Sequence, residues 1–428
     1  MRSYRRSEEY LARAERTIPL GSQTFSKSRT QFPYGVSPYF VTRAQGSRIW
    51  DVDGNEYIDF INSLASVTLG YQDPDVTRAV REQLELGVIF SLPHTIEAEV
   101  AELICDMVPC AEQVRFGKNG SDATSGAIRL ARAYTGRDRV AVCGYHGWQD
   151  WYIGSTARNR GVPQATRELT HTFVYNDLQS LRTLLDERPG QFAAVILEPM
   201  NVVEPQAGFI AGVKELTHQH GAVLVFDETI TGFRYANGGA QELFGVTPDL
   251  ATFGKGLANG YPVSAVAGRR EIMKLMEEIF FSFTFGGEAL SLAAARATLK
   301  KLQTQDVVGT IRRRGERLLA GVRERISRHG IAEFATASGH PAWSFLVIKD
   351  AGAVSQWHTK TLLMQELFER GVLGYGSHNM SFAHSDEDID RLLHVYDEVF
   401  PLLRSAVVDG RMSELLRCRP LEPLFRVR

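Results

Sequence analysis

The chain has 428 residues, of which 44% are hydrophobic and 23% are charged, and its net charge is −2. A chain of this length is expected to form a large domain with a smaller companion. The near-neutral charge gives no long-range attraction to nucleic acid or to an anionic membrane, so the sequence favours a small-molecule partner.

The cysteines and the apolar runs indicate the cellular compartment of the protein. Four cysteines stand at positions 105, 110, 143 and 418. Their spacings match no zinc pattern, and four in so long a chain do not make a disulfide framework. No apolar run approaches the roughly 20 residues that cross a bilayer, and the first residues contain no apolar signal core. We therefore expect a cytoplasmic protein with no metal site.

The first predicted elements lie before residue 60. Residues 7–16 are expected to form a short charged helix that begins at Ser7. Asp53, Gly54 and Asn55 supply turn chemistry between two β-prone runs. This pattern predicts a hairpin over 49–60.

From about residue 95, short apolar runs alternate with longer helical stretches. The apolar runs cover 114–116, 140–143, 193–197 and 222–226. The helices are expected near 122–135, 177–187 and 212–220. Runs that are apolar without alternation, and that are separated by helices, indicate a mostly parallel sheet covered on both faces. The predicted fold class is therefore α/β.

After about residue 305 the pattern changes to a mixed one. An Arg-rich helix is expected over 311–327, a strand over 343–348 and an amphipathic helix over 386–403. We predict three segments from these changes. Residues 1–60 form an N-terminal segment that packs with the small domain, residues 61–305 form the large domain, and residues 306–428 form a small α+β domain.

Ligands of an open α/β sheet bind beyond the carboxyl ends of its strands, so the residues that follow each apolar run are candidates for a site. The first run is followed by a turn at 117–124 that contains Gly120 and Ser121 and opens a helix. Free backbone N–H groups at the positive end of a helix can hold a phosphate. The alternative is a plain helix cap at Ser121 or Asp122.

Rings and carboxylates follow the next three runs. Tyr145, His146 and Trp148 follow the second run, and a ring there can stack on a flat heterocycle or simply pack a loop. Glu198 follows the third run. Asp227 follows the fourth, where an anion would suit a protonated ring nitrogen or form a buried salt bridge.

Lys255 stands between two glycines after a further apolar run at 250–253. Such a lysine can form an imine with a carbonyl group if its surroundings favour the neutral amine, although it could also lie on an exposed turn. Twenty-eight residues separate it from Asp227 (255 − 227), enough for one helix and one strand that return the chain to the same sheet edge.

Four blocks of the chain resemble a known protein family, and the resemblance extends from about residue 18 to about residue 403. The blocks are 50–59 (WDVDGNEYID), 127–132 (AIRLAR), 225–234 (VFDETITGFR) and 253–256 (FGKG). They resemble the class III aminotransferases of the fold-type I pyridoxal-phosphate enzymes, and within them glutamate-1-semialdehyde aminomutase and its relatives.

The resemblance implies pyridoxal 5'-phosphate as cofactor and a role for seven residues. Lys255 carries the cofactor as an imine and moves the proton, and Asp227 pairs with the pyridine nitrogen. Gly120 and Ser121 hold the phosphate. Tyr145 stacks on the ring, and Glu198 lies near the ring hydroxyl. Thr284 resembles a threonine that reaches the phosphate from the partner subunit, which implies a homodimer with shared active sites.

The chain also departs from the family pattern. The phosphate turn reads Asn-Gly-Ser-Asp where the family commonly has Ser-Gly-Thr-Glu. Lys27, with Arg29 close by, stands where aminomutases have a carboxylate-binding arginine, and lysine lacks its bidentate fork. The block 148–152 (WQDWY) resembles relatives that act on sugar-like or cyclic ketones.

These observations predict an aminotransferase that moves an amino group from an amino-acid donor such as glutamate to a keto or aldehyde acceptor. An aminomutase that uses the same residues on one retained substrate is the alternative. A nicotinamide oxidoreductase is disfavoured because no Gly-x-Gly-x-x-Gly turn is present. A non-catalytic scaffold is disfavoured because Lys255 and Asp227 are both retained.

Overall fold

The computed structural model describes residues 2–422. Within them the chain divides into two compact units, one of residues 2–73 with 309–422 and one of residues 74–308. The predicted divisions at 60/61 and 305/306 remain a prediction of domain organisation. No helix of residues 2–422 is both long enough and apolar enough to traverse a lipid bilayer.

The strands are numbered in chain order: β1 Val41–Gln45, β2 Arg48–Asp51, β3 Glu56–Asp59, β4 Gln113–Gly117, β5 Arg139–Cys143, β6 Thr170–Thr172, β7 Phe192–Leu197, β8 Val223–Asp227, β9 Leu250–Phe253, β10 Ser264–Gly268, β11 Ala335–His340, β12 Trp343–Ile348, β13 Val372–Leu373 and β14 Ser377–Asn379. The four apolar runs and the 343–348 run are therefore confirmed as strands.

The helices are α1 Arg5–Ala14, α2 Asn62–Ala65, α3 Pro74–Leu86, α4 Thr95–Met107, α5 Gly120–Thr135, α6 Asp150–Ile153, α7 Gln164–Arg167, α8 Leu178–Asp186, α9 Phe209–Gln219, α10 Ala240–Phe244, α11 Arg270–Met273, α12 Ala289–Thr304, α13 Val307–Arg328, α14 Gln356–Glu369, α15 Asp386–Val408 and α16 Met412–Leu415. Short 3-10 turns cover Pro19–Gly21, Phe25–Lys27, Arg29–Gln31, Lys255–Ala258 and Lys274–Glu277. Each predicted helix has a counterpart at its expected place.

The unit of residues 74–308 is built on a seven-stranded sheet of order β4-β10-β9-β8-β7-β5-β6. The strands from β9 to β6 pair in parallel. β10 is antiparallel to both of its neighbours, β4 and β9. The predicted α/β class with a mostly parallel sheet is confirmed.

Alternate residues of each strand point to opposite faces of this sheet. Both faces are apolar. Val140 and Val142 of β5 pack with helix α5 on one face. Ala141 and Cys143 pack with helices α8 and α9 on the other. Burial on both faces explains why the strands are apolar throughout rather than at every second residue.

The register of the sheet brings several strand ends to one edge. Cys143 of β5 pairs with Leu197 of β7, and Leu197 pairs with Phe226 of β8. Asp227 of β8 pairs with Thr252 of β9. The segments that follow β5, β7, β8 and β9 therefore all leave the sheet at the same edge.

The unit of residues 2–73 and 309–422 contains two smaller sheets, of order β1-β2-β3-β13 and β11-β12-β14. The predicted hairpin over 49–60 is confirmed, since β2 and β3 are antiparallel. β13 joins β3 in parallel. Helices α13, α14 and α15 give this unit the mixed α and β content expected for the smaller part.

The prediction that the first helix begins at Ser7 is wrong. Helix α1 begins at Arg5, and Ser7 lies buried inside it. The first N–H groups of the helix are bound from elsewhere, since the carboxylate of Asp53 accepts hydrogen bonds from the backbone N–H groups of Arg6 and Ser7, both at 2.9 Å. Because Asp53 lies in the hairpin turn 46 residues away, local sequence could not reveal it as a cap.

Candidate active site

The turn predicted to hold a phosphate leads directly from β4 into α5. The cap of this helix is Asn119 rather than Ser121 or Asp122, because the Asn119 side chain accepts a hydrogen bond from the N–H of Ser121 at 3.1 Å. The Asp122 carboxylate in return accepts the N–H of Asn119 at 2.9 Å. Asn119 thus completes a capping box, and the hydroxyl of Ser121 does not serve as the cap.

Two glycines allow other segments to approach this turn closely. A Cβ on Gly120 would lie 3.0 Å from the Cγ2 atom of Thr229, which follows β8. A Cβ on Gly147, whose φ is +103°, would lie 2.2 Å from the Ser121 Oγ atom. The segments after β5 and β8 therefore press against the first turn of α5, tightly at Gly120 and too closely for any larger residue at Gly147.

Asp227 ends strand β8 and is 4% exposed. Its Oδ2 atom lies 2.8 Å from the His146 Nδ1 atom, and its Oδ1 atom accepts the Thr229 N–H at 3.1 Å and the Thr252 hydroxyl at 3.2 Å. Burial by itself would raise the pKa of Asp227, but the hydrogen bond and charge of His146, with the contacts to Thr229, hold that pKa below its ordinary value. The structure thus keeps a buried carboxylate ionised at the sheet edge.

The sequence predicts a ring at the end of β5, where His146 lies, but it does not predict a functional role for His146. The side chain is 1% exposed, and its ring faces Trp151 and Tyr152 at centroid distances of 6.4 Å and 5.2 Å. Its Nδ1 atom must carry the proton in order to donate to the Asp227 carboxylate. No sequence signal links positions 81 residues apart.

Glu198 follows β7 and is also buried. Its Oε2 atom accepts hydrogen bonds from the backbone N–H of Tyr145 at 2.9 Å and from the Asn201 side chain at 2.8 Å. The first of these bonds ties the segment after β5 to the segment after β7. Tyr145 itself is partly exposed, and its ring meets that of Tyr152 edge-on at a centroid distance of 5.7 Å.

Lys255 lies in the first position of the 3-10 turn that follows β9, and it is half-buried. Its φ is +41°, a left-handed conformation that is rare for a residue with a side chain. A Cβ on the preceding Gly254 would lie 3.4 Å from Thr229 Cγ2 and 3.7 Å from the Gly120 N atom. The lysine therefore emerges beside both the phosphate turn and the segment that follows Asp227.

The described residues thus gather six of the seven predicted site residues at one sheet edge: Gly120, Ser121, Tyr145, Glu198, Asp227 and Lys255. The seventh, Thr284, lies exposed in the turn segment 284–287. Of the aromatic block 148–152, Trp151 and Tyr152 are buried, where Trp151 Nε1 donates to Ser125 Oγ at 3.0 Å and the Tyr152 hydroxyl donates to the Gly144 carbonyl at 2.8 Å.

These residues have the groups that a pyridine ring with a phosphate and an aldehyde would require. A helix N-terminus with a hydroxyl suits the phosphate. The buried, ionised Asp227 suits a protonated ring nitrogen, and a ring at position 145 offers a stacking surface. Lys255 supplies a primary amine within the same cluster. The described residues of this edge therefore fit pyridoxal phosphate in charge and in donor chemistry.

Comparison with known proteins agrees with this fit. The family model described as aminotransferase class-III matches residues 31–380. A glutamate-1-semialdehyde 2,1-aminomutase of Desulforudis audaxviator is 38% identical over 427 residues, which is 93% of this chain and 98% of that protein.

Two solved structures share the fold. The internal-aldimine form of the FumI protein of Sphingopyxis sp. MTA144, which holds pyridoxal phosphate, has a TM-score of 0.87 and 30% identity, covering 97% of this chain and 99% of that one. An omega-transaminase from Sphaerobacter thermophilus has a TM-score of 0.85 and 27% identity, covering 94% and 99%. The chain therefore belongs to the class III aminotransferases, a family of pyridoxal-phosphate enzymes of fold type I.

Proposed function

We propose that this enzyme moves an amino group from an amino-acid donor, with glutamate as the first candidate, to a small keto or aldehyde acceptor. The observation that carries the proposal is the pairing of β8 with β9. It sets the buried, ionised Asp227 beside strand β9, which ends at Phe253, just before Gly254 and Lys255. An anion for a ring nitrogen and an amine for a carbonyl, on adjacent strand ends, are the two groups that amino transfer needs.

Pyridoxal phosphate supplies an electron sink for the carbon that bears the amino group. We assign to Lys255 the binding of the cofactor carbonyl and the movement of a proton at its Nζ atom. Asp227 holds the proton on the ring nitrogen. Gly120 and Ser121 bind the phosphate through a backbone N–H and a hydroxyl, and Tyr145 covers one ring face.

Glu198 is assigned to the side of the ring hydroxyl. Its carboxylate is fixed by the Tyr145 N–H and the Asn201 amide, so it keeps one orientation while substrate enters. His146 is a positioning residue in this proposal, because it acts on the cofactor only through Asp227.

Borohydride reduction tests the assignment of Lys255. The purified protein is expected to be yellow, and reduction should fix the cofactor on the peptide that contains Lys255, as read by mass spectrometry. Lys255→Ala should abolish the label, whereas Lys300→Ala, at an exposed lysine of helix α12, should leave it unchanged. A colourless protein, or a label on another lysine, would contradict the proposal.

An aminomutase reaction is the second candidate, and the 38% identity to a glutamate-1-semialdehyde 2,1-aminomutase favours it. Incubation with glutamate separates the two reactions. Release of 2-oxoglutarate, with conversion of the enzyme to its amine form, supports amino transfer between two substrates. Rapid turnover of an amino-aldehyde without any 2-oxoglutarate from glutamate supports the aminomutase.

We further propose a homodimer in which Thr284 of one subunit contributes to the phosphate site of the other. Thr284 lies among exposed apolar side chains that include Phe280, which is 83% exposed. The 84–92 segment lies beside them, since the Ala289 N–H donates to the Val88 carbonyl at 2.8 Å, and it exposes Leu92 at 78%. Apolar surface of this kind is typical of a protein interface.

Light scattering of the holoenzyme tests the dimer. The double variant Leu92→Asp with Phe280→Asp is expected to halve the mass and to release the cofactor, because Thr284 of the partner would be lost. Val408→Asp, at an exposed valine of helix α15, is the matched control and should remain dimeric. A wild-type mass equal to that of one chain would refute the shared site. The cytoplasmic location stays a proposal that fractionation of cells can test.

A further inference from the structure

A cavity of about 550 Å³ opens at the same sheet edge, beyond the ends of β5, β6 and β7. Its volume falls within the range of about 300–1,000 Å³ that small-molecule sites occupy. Gly144 and Glu198 line it, and both are joined to site residues, since Tyr145 follows Gly144 and donates its N–H to Glu198. The cavity therefore adjoins the proposed cofactor site at Glu198.

The walls of this cavity are mostly carbon. Cys143, Phe173, Val174, Val202 and Val203 supply apolar surface. Burial raises the pKa of the Cys143 thiol to about 12, with a further contribution from Glu198, so this group stays uncharged at neutral pH.

Three polar side chains of the walls are bound within the chain. The Tyr152 hydroxyl donates to the Gly144 carbonyl and the Tyr175 hydroxyl donates to the Pro199 carbonyl, both at 2.8 Å. The Asn201 amide donates to Glu198, also at 2.8 Å. A ligand with several hydroxyl groups would find these donors already engaged and could reach only the remaining acceptor positions, so it would gain little there.

The charge of the cavity also favours an uncharged ligand. Among the described residues, no lysine, arginine or histidine lines it, whereas the carboxylate of Glu198 does. A carboxylate in the ligand would lose its hydration, find no cation there and face a like charge. The walls thus disfavour an anionic group and a polyhydroxylated one.

We propose that this cavity receives the uncharged, apolar side group of the acceptor, an aryl or alkyl group, and so sets the enzyme's specificity. The inference rests on the proposed amino transfer at Lys255. It favours a ketone that carries an aryl or alkyl group over a sugar-like ketone and over a dicarboxylic acceptor.

Two pairs of compounds test the proposal with the intact holoenzyme. The amines 4-phenylbutan-2-amine and 4-aminopentanoate share one skeleton and differ in a phenyl group against a carboxylate. Their reaction in the reverse direction is followed by the loss of the yellow colour. The ketones 4-phenylbutan-2-one and 4-oxopentanoate form the second pair, and their Kd is measured by calorimetry without turnover.

The wild-type enzyme is expected to prefer the phenyl compound in both assays by about tenfold or more. Val203→Arg places a cation at the cavity, and Val203 is 56% exposed, so the longer side chain has room. This variant should lower the preference by about tenfold. Val408→Arg, outside the cavity, should keep the wild-type preference.

Three results would overturn the inference: equal or better binding of the carboxylate ketone by the wild-type enzyme, an unchanged preference in a folded Val203→Arg enzyme, or no reaction with either amine while another amine bleaches the colour. The ketone affinities of the wild-type enzyme decide the matter even if the variant does not fold. Failure of borohydride to label Lys255 is a separate result, which would overturn the proposed function itself.

Discussion

The contact between His146 and Asp227 leads to a quantitative prediction. Replacing His146 with phenylalanine keeps a ring in the buried site but removes the donor that lies 2.8 Å from Asp227 Oδ2. Burial raises the pKa of Asp227, and the contacts with His146 that lower it are then lost. The pKa of Asp227 should therefore rise. A protonated Asp227 would no longer hold the proton on the cofactor nitrogen, and the electron sink would weaken.

The size of the effect follows from the bond that is lost. A hydrogen bond to a charged group contributes about 1.5–3 kcal/mol, and each 1.36 kcal/mol corresponds to about tenfold in rate. The kcat/KM of the half-reaction with glutamate should therefore fall roughly 10- to 150-fold, as measured by stopped-flow absorbance.

The pH profile distinguishes this role from a merely structural one. Asp227 acts in its ionised form, so activity is present above its pKa and is lost as the pH falls through it. Because the pKa rises in His146→Phe, the acid limb of the profile should move to higher pH. His146→Gln, which retains an N–H donor, should recover part of the activity and part of the shift. An active His146→Phe enzyme with an unmoved acid limb would refute the reasoning.

Two further predictions concern other residues. Lys255→Ala should lower the half-reaction rate by roughly 10²–10⁴-fold, the usual contribution of a proton-transfer group, and a variant with near wild-type single-turnover rates would exclude Lys255 as that group. His378 lies buried between Ser344 and Tyr396 at 3.0 Å and 2.7 Å, and burial lowers its pKa from 6.5 to about 4. Below about pH 6.5 the unfolded chain therefore binds a proton at His378 that the folded chain does not bind. The free energy of unfolding should fall by up to about 3 kcal/mol as the pH drops from about 6.5 to 4. Urea denaturation should show this loss in the wild-type protein and a flatter profile in His378→Gln, and equal profiles would contradict it.

The sheet was predictable because its strands are apolar at consecutive positions, and thus on both faces. Val140, Ala141 and Val142 are apolar in succession, and burial on both faces is the physical reason. Strand β10 carries no such signal. Its residues, Ser264–Gly268, are small, and its antiparallel direction depends on how the chain connects to it rather than on its composition.

The residues of the sheet edge were predictable where they lie at or just after the end of an apolar strand, as Glu198, Asp227 and Lys255 do. The shared edge then follows from the parallel register. The partner of Asp227 was not predictable, because β7 separates β5 from β8 in the sheet, and the reach of His146 across it depends on three-dimensional geometry. The cap of α5 was ambiguous for a local reason, since Asn119, Ser121 and Asp122 are all capping residues.

The backbone at Lys255 has a consequence for how this position can change. With φ at +41°, a residue with a Cβ costs about 1–2 kcal/mol relative to the right-handed conformation, and glycine avoids that cost. Folding alone would therefore favour glycine at this position, and the apoprotein of Lys255→Gly should melt at a higher temperature than the wild-type apoprotein. The backbone conformation thus gives no reason for a lysine at this position, and the amine of its side chain does.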